Sequence, residues 1–432
     1  MSTPGGPQEQ TGPAHWLRGT TVQLMVSTGR VAIATGASSL LLVAVAVVSA
    51  RVLGPSGRGV LVLVATTATY LMLVSSLGTP ISVRVMLGTE NRRTVLSDYF
   101  GLGLLLTLLQ IVVAAVLVAA VLIRSGVPVT LELDLLAAVY AGALVLAYLL
   151  VHGLYGIGYN EQAATVQVGG AAVQLVLVIL LGVAAVTSPW PYVAAMLAGT
   201  LGQIVASMIV LAFGGFLVRP RVSIDAWRKL ITQGVPAIGL SLGQAAVLRL
   251  DRIIVGFFLA AAAVGVYSVA ATATDLVALV PGALSQVLFQ KIASRSIETS
   301  TANRARLVAL LSSVVVAAVL YFLAPIGIEV LVGASFAGAV EPLRILLLAA
   351  VVLSSYQIDA YALAARGQIG RAASATVIGL AVIVVADLIL IPAKGIVGAA
   401  WASVIAYAVM AILVRVIIRR GPDASASRAA SI

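Results

Sequence analysis

Of 432 residues, 61% are hydrophobic and only 9% charged, with a net charge of +11. A soluble domain carries about 25% charged residues, so the chain reads as a polytopic membrane protein. Cysteine is absent, which excludes structural disulfides and thiolate metal sites, and the two histidines, His15 and His152, cannot form a zinc cluster by themselves.

No Gly-Lys dipeptide occurs, so a P-loop is excluded. No metal and no cofactor is expected. The basic residues lie in loops between apolar runs, which assigns them to membrane orientation rather than to nucleic acid.

Residues 1–20 are polar, with Pro, Gly and Gln, and read as a disordered tail. The first apolar run, 27–50, is too long for a signal-peptide core and carries Arg30 near its start. Further runs fall at 60–77, 97–123, 135–157, 163–186 and 192–218, then at 233–259, 261–289, 307–324, 340–364, 372–391 and 395–418. Each can cross roughly 30 Å of hydrocarbon. Twelve spans put both termini on one side. With that side taken as the cytoplasm, only Arg51, Arg58, Arg124, Arg344 and Lys394 fall outside, while Arg249 and Arg252 lie within a span. This bias predicts cytoplasmic termini, with Ser188 extracytoplasmic and Ser300 cytoplasmic.

The basic stretch 219–229 divides the chain in half. Across it, Gly59-Val60 with Ala65-Thr66-Thr67-Ala68-Thr69 matches Gly265-Val266 with Ala271-Thr272-Ala273-Thr274. The predicted architecture is therefore all-α, with about twelve transmembrane helices in two parallel six-helix lobes. The lobes are 21–218 and 230–418, joined by a basic cytoplasmic linker at 219–229 and followed by a tail at 419–432. Transporters built from such repeats bind substrate between the lobes. The loops are too short to hold a catalytic domain outside the membrane, so a transporter is expected and not an enzyme.

The chemistry concentrates in the seventh run, where Arg249, Asp251 and Arg252 interrupt an apolar helix. Each such group costs about 2.5–3.5 kcal/mol to place at membrane depth and is tolerated against a wet cavity or a partner. Arg249 and Arg252, three residues apart, share a helix face. They suit an anionic ligand, and Asp251 and Asp275 are candidate counter-ions. Pro236, Gly239 and Gly243 allow this helix to bend or pack closely. Arg30 occupies the equivalent helix of the first lobe. Arg51 and Arg58 flank the Leu53–Gly57 turn and read either as interfacial anchors or as contacts to an anionic headgroup. Asp359 and Asp387 are lone acids that pack against polar neighbours or couple a proton or sodium ion. His152 reads as a hydrogen-bonded core residue. Gly239-Leu240-Ser241-Leu242-Gly243 matches G-x-S-x-G, but a nucleophile elbow needs a strand-to-helix turn, and here small-residue helix packing is expected.

Ala50-Arg51-Val52-Leu53-Gly54-Pro55-Ser56-Gly57-Arg58-Gly59 resembles the signature after the first helix of the polysaccharide-export flippases, within the multidrug/oligosaccharidyl-lipid/polysaccharide exporter superfamily. Asp251 and Gly256 followed by Gly265-Val266-Tyr267-Ser268-Val269-Ala270 are similar to that family's seventh and eighth helices. Leu331-Val332-Gly333-Ala334-Ser335-Phe336 resembles the segment before its tenth helix, and Lys394-Gly395-Ile396-Val397-Gly398-Ala399-Ala400 the start of its twelfth. The resemblance implies a V-shaped two-lobe transporter that flips an undecaprenyl-diphosphate-linked oligosaccharide across a bacterial cytoplasmic membrane. It implies cavity arginines that engage the diphosphate. The expected partners are that lipid-linked glycan, membrane lipid, and the polymerase and glycosyltransferases of a surface polysaccharide, with a coupling cation left open. The alternative is a cation-coupled multidrug exporter, which would place acids rather than arginines in the cavity.

Overall fold

The computed structural model describes residues 14–278, 281–282, 299–365 and 368–419, and all regular structure among them is helical. The first helix, α1 (Ala14–Ser75), is two limbs joined at Gly54, whose φ of 65° is left-handed and is followed by Pro55. Glycine takes this backbone without strain and proline removes the next helical donor. Because α1 starts at Ala14, the stretch 14–20 is helical rather than the tail expected there. A turn through Leu77 and Gly78 leads into α2 (Thr79–Thr89), which has Pro80 in its first turn. The sequence reading passed over α2, since an eleven-residue helix with Arg84 and Gly88 has no membrane-length apolar run.

The first lobe continues with α3 (Arg92–Arg124), α4 (Leu131–Ile157), α5 (Asn160–Val183) and α6 (Trp190–Phe213). Asn91 caps α3 by accepting from the Arg93 and Thr94 amides. The second half holds α7 (Ile224–Phe258), α8 (Ala261–Asp275) and α9 (Thr299–Leu331). A 3₁₀ turn (Ala334–Ala339) then leads to α10 (Val340–Ala365) and α11 (Ile369–Arg419). Like α1, α11 is two limbs across a left-handed glycine, Gly395 at φ 60°. Eight of these helices are long and apolar enough to span a membrane. Counting the two limbs of α1 and of α11 separately gives ten of the twelve expected spans; α7 (35 residues) holds the seventh expected run, and the eighth, 261–289, is described only through α8 and the residues just after it.

The internal repeat is visible in one reciprocal contact. A Cβ on Gly59 would lie 1.8 Å from the Ala261 carbonyl oxygen, and one on Gly265 would lie 1.9 Å from that of Pro55. Gly59 and Gly265 are equivalent in the repeat, as are Pro55 and Ala261, so one patch is used twice. Here α1 and α8 touch backbone to backbone. Ser125 at the end of α3 adds two bonds, donating to Gly256 O at 2.9 Å and accepting from the Ala261 amide at 3.2 Å. Arg124 stacks over Phe257, 4.7 Å from the ring centre. The lobes are thus sealed at the end of the bundle that carries Gly54, called the sealed end below. The opposite end carries Arg92, Arg93, Arg219 and Arg221 and is called the basic end.

Helix α7 belongs to both halves. Near the basic end, Leu230 is fully buried in the first lobe's core with Leu96, Tyr99 and Leu154. Ser82 donates to Leu230 O at 2.7 Å, Lys229 pairs with Glu90 at 2.5 Å, and Trp227 donates to Asp98 O at 2.9 Å. Further along, Val247 packs instead with Leu353, Ala406 and Met410 of the second half. Packing therefore places 224–231 with the first lobe, although the linker and second lobe were expected to meet at 229–230. The backbone of 236–244 between these two allegiances is helical, and the side chains of those residues, Pro236 included, lie outside the described set.

Candidate functional site

Between the halves lies a cavity of about 380 Å³, walled by both limbs of α1 and by α4, α5, α6, α7 and α8. Its charged lining residues are Arg58, Arg249, Arg252 and Asp275, three cations against one carboxylate. Ser39, Ser49, Thr66, Thr69, Gln174 and Tyr192 supply further polar groups. The Gly54 bend folds the second limb of α1 back along the first, which brings Arg58 inward to donate to Ser49 Oγ at 3.2 Å. From α7, Arg249 is exposed to this space and Arg252 is 7% exposed. The Nε of Arg252 and the Nε of Arg58 are both buried without a hydrogen-bond partner. Buried guanidinium donors left unpaired carry a cost that an anionic acceptor would relieve.

Asp251 turns away from the cavity. One of its oxygens accepts from the Arg252 amide at 2.8 Å and the other from Tyr267 Oη on α8 at 2.5 Å. It offsets the arginine charge from behind while its lone pairs are engaged. Asp275 shares the cavity with Arg249 but forms no salt bridge with it, so the direct pair considered from the sequence is not made.

The remaining candidates are dispersed. Arg30 lies near the basic end, 66% exposed and paired with Glu161 of α5 at 3.3 Å, and it does not join Arg249 and Arg252. Arg51 points outward at the sealed end, where its Nη1 donates to Val330 O at 2.7 Å. That carbonyl belongs to the last turn of α9, where a cation complements the helix dipole. On α10, buried Asp359 faces Arg415 of α11 at 3.5 Å, and Arg415 also donates to Ser355 Oγ at 2.6 Å. Asp387 is fully buried on α11, with neither carboxylate oxygen hydrogen-bonded. It lies within electrostatic reach of Asp251 and Tyr267.

A second recess of about 240 Å³ opens beside the charged cavity, between the first limb of α1 and helices α8, α9 and α10. Val43, Ala46 and Thr272 line both spaces. Thr272 is the single hydroxyl among the described residues of this recess, and Leu320, Leu323, Ile328 and Leu331 dominate it. A polar, positively charged chamber therefore lies against an apolar groove, the two sharing the wall formed by Val43, Ala46 and Thr272. The sequence reading found the cations but not the groove, which is assembled from single residues on four helices with no linear signature. It also missed Gln174 and Tyr192, whose cavity position depends on how α5 and α6 pack.

This architecture has counterparts among solved structures. A lipid II flippase MurJ in an inward closed conformation superposes with a TM-score of 0.75 at 16% identity, over 90% of this chain and 87% of that one. An inward-facing multidrug resistance MATE family transporter of the MOP superfamily gives 0.71 at 17% identity, over 89% and 94%. An outward-facing MATE family transporter of that superfamily gives 0.57 at 17% identity, over 91% and 95%. These likenesses establish the fold. No curated protein sequence matches the chain. The family is decided by residues 27–289, which match the model described as polysaccharide biosynthesis protein. That match covers all of the first lobe's spans and both arginine-bearing helices of the cavity, and on it the chain belongs to the polysaccharide biosynthesis protein family.

Proposed function

We propose that the protein is a flippase that moves an undecaprenyl-diphosphate-linked oligosaccharide from the inner to the outer leaflet of a bacterial cytoplasmic membrane for surface polysaccharide synthesis. The observation that carries this reading is the adjacency of the basic chamber and the apolar groove, which share Val43, Ala46 and Thr272 as wall residues. A lipid-linked diphosphate is an amphiphile that needs both at once. The headgroup takes the chamber, where the planar forks of Arg58, Arg249 and Arg252 suit phosphate oxygens. The polyprenyl chain rests in the groove and trails into the bilayer. A cationic drug would meet three guanidiniums and one carboxylate, which disfavours the multidrug alternative.

The basic end is cytoplasmic in this reading and both termini lie there. The seal at Gly59 and Gly265 closes the extracytoplasmic side, in keeping with the higher TM-score to the inward-facing than to the outward-facing transporter. Export follows when the lobes part at that seal and close at the basic end. With the cell interior negative, outward movement of an anion gains about 2.3 kcal/mol per charge per 100 mV. A coupling cation would find its ligand at Asp387, whose carboxylate is unengaged, rather than at Asp359, which faces Arg415.

Proteoliposomes with an imposed potential test the mechanism. Wild-type protein is expected to flip the lipid-linked glycan outward. Arg249→Lys keeps the charge but loses the fork and should slow flipping, and Arg249→Ala should slow it further, about tenfold or more for a lost charge-assisted contact worth ~1.5–3 kcal/mol. Unchanged flipping by folded Arg249→Ala and Arg252→Ala variants would falsify the cavity-arginine mechanism.

A further inference from the structure

Outside the charged chamber, a second cluster of polar and aromatic groups sits on the first lobe. Arg84 of α2 places Nη2 2.7 Å from Nδ1 of His152 on α4. Its guanidinium carbon lies 5.0 Å from the centre of the Tyr155 ring. A guanidinium has no acceptor, so Nδ1 must accept, and His152 is the neutral tautomer with its proton on Nε2. Tyr148 packs edge-on against His152 at 4.3 Å between ring centres, and Gln167 of α5 donates to Tyr155 Oη at 3.0 Å. No salt bridge to Arg84 forms among the described residues. Arg84 is exposed and the other four are half-buried, so the groups hold one another in place and remain open on one side.

Their position follows from helix geometry. Tyr140 of α4 and Gln174 of α5 line the charged chamber. Tyr155 is fifteen residues beyond Tyr140, about 60° round the helix, and Gln167 is seven residues before Gln174, nearly eclipsed with it. The cluster therefore continues the chamber wall toward the basic end, about 10 Å beyond Gln174 at 1.5 Å per residue. A planar cation held over a phenol ring, an edge of aromatic surface, and donors and acceptors fixed by mutual bonds form a surface for a pyranose. The apolar face of a sugar ring stacks on tyrosine, and its hydroxyls take Arg84 N–H, His152 Nε2–H and the Gln167 amide oxygen. Packing alone would be served by apolar side chains and does not require an exposed guanidinium held on a histidine nitrogen and a phenol ring.

We propose that Arg84, Tyr148, His152, Tyr155 and Gln167 form a sugar-binding subsite that holds a pyranoside of the lipid-linked glycan on the first lobe, while the arginines of the chamber hold its diphosphate. This rests on the flippase reading. The test measures binding to the full-length protein in lipid nanodiscs with two probes, undecaprenyl diphosphate and the lipid-linked glycan extracted from the producing cells. Wild type should prefer the glycan-bearing lipid by about tenfold, equivalent to ~1.4 kcal/mol. In Tyr155→Leu and Arg84→Gln the ratio of the two affinities should fall toward one, and in Gln167→Leu it should fall part of the way. Tyr155→Phe, which keeps the ring, should retain most of the preference and serves where a harsher variant does not fold. A wild type that does not distinguish the probes, or variants that weaken both lipids in parallel, would overturn the subsite and leave a packing role. Undiminished undecaprenyl diphosphate binding by Arg249→Ala would instead sink the flippase reading, and the subsite with it.

Discussion

Two buried aspartates on neighbouring helices show how differently one residue type is used. Asp251 spends both oxygens on the Arg252 amide and Tyr267. Tyr267→Phe should therefore lower stability by about 1–3 kcal/mol, the cost of a buried acceptor left unpaired, read as a lower melting temperature in detergent. Asp387 has no such engagement among the described residues. If it serves a coupling cation, Asp387→Asn should leave the protein folded and remove any dependence of flipping on a proton or sodium gradient; a gradient response identical to wild type would exclude that role. Asp275 should behave in a third way. It lines the chamber without clasping Arg249, so Asp275→Asn makes the chamber more positive. The expected outcome is tighter undecaprenyl diphosphate binding with slower release, rather than the loss of folded protein that a broken ion pair would bring. Residue chemistry was legible in the sequence, because charge inside an apolar run announces itself. Direction was not. Arg30 is drawn aside by Glu161, 131 positions away, and Arg58 is turned inward by a bend four residues before it.

At the scale of elements, the long apolar helices could be read from composition, since membrane length is a simple demand on a run of residues. The turn through Leu77 and Gly78 and the short helix after it could not, because α2 is held by packing on α4 and α7 rather than by its own pattern. Gly78 sits so close to Gly234 that a Cβ would meet the Gly234 carbonyl oxygen at 2.0 Å. The mating of α1 with α8 is closer still. Gly59→Ala or Gly265→Ala should wedge the sealed end open, with overpacking of this kind costing about 1–3 kcal/mol. The chain contains no cysteine, so a single Ser125→Cys at the seal gives an unambiguous reporter. Its thiol should react slowly with a water-soluble maleimide in the parent and faster in the Gly59→Ala background. Equal rates would show that this contact does not gate the outer side.

The whole molecule joins two copies of one six-helix plan, and the repeat found at an offset of about 206 residues is the same relation that pairs Gly59 with Ala261 and Gly265 with Pro55. Orientation in the bilayer is the corresponding whole-molecule prediction. A periplasm-dependent phosphatase fused after Ser188 should be active and one fused after Ser300 inactive; the reverse pattern would invert the topology. The reciprocal glycine contact also has a consequence for symmetry. An isologous patch is what two identical subunits make across a two-fold axis. Two separate halves carrying this surface would close a symmetric dimer with it, the same contact that the single chain makes twice. The arginines depart from that symmetry. Arg249 and Arg252 face the chamber from the later half, whereas the earlier half contributes Arg58 from beyond its bend and has tied Arg30 to Glu161. A symmetric dimer would present its cations in matched pairs; this chain presents them lopsidedly, Arg249 and Arg252 from one half and Arg58 from the other.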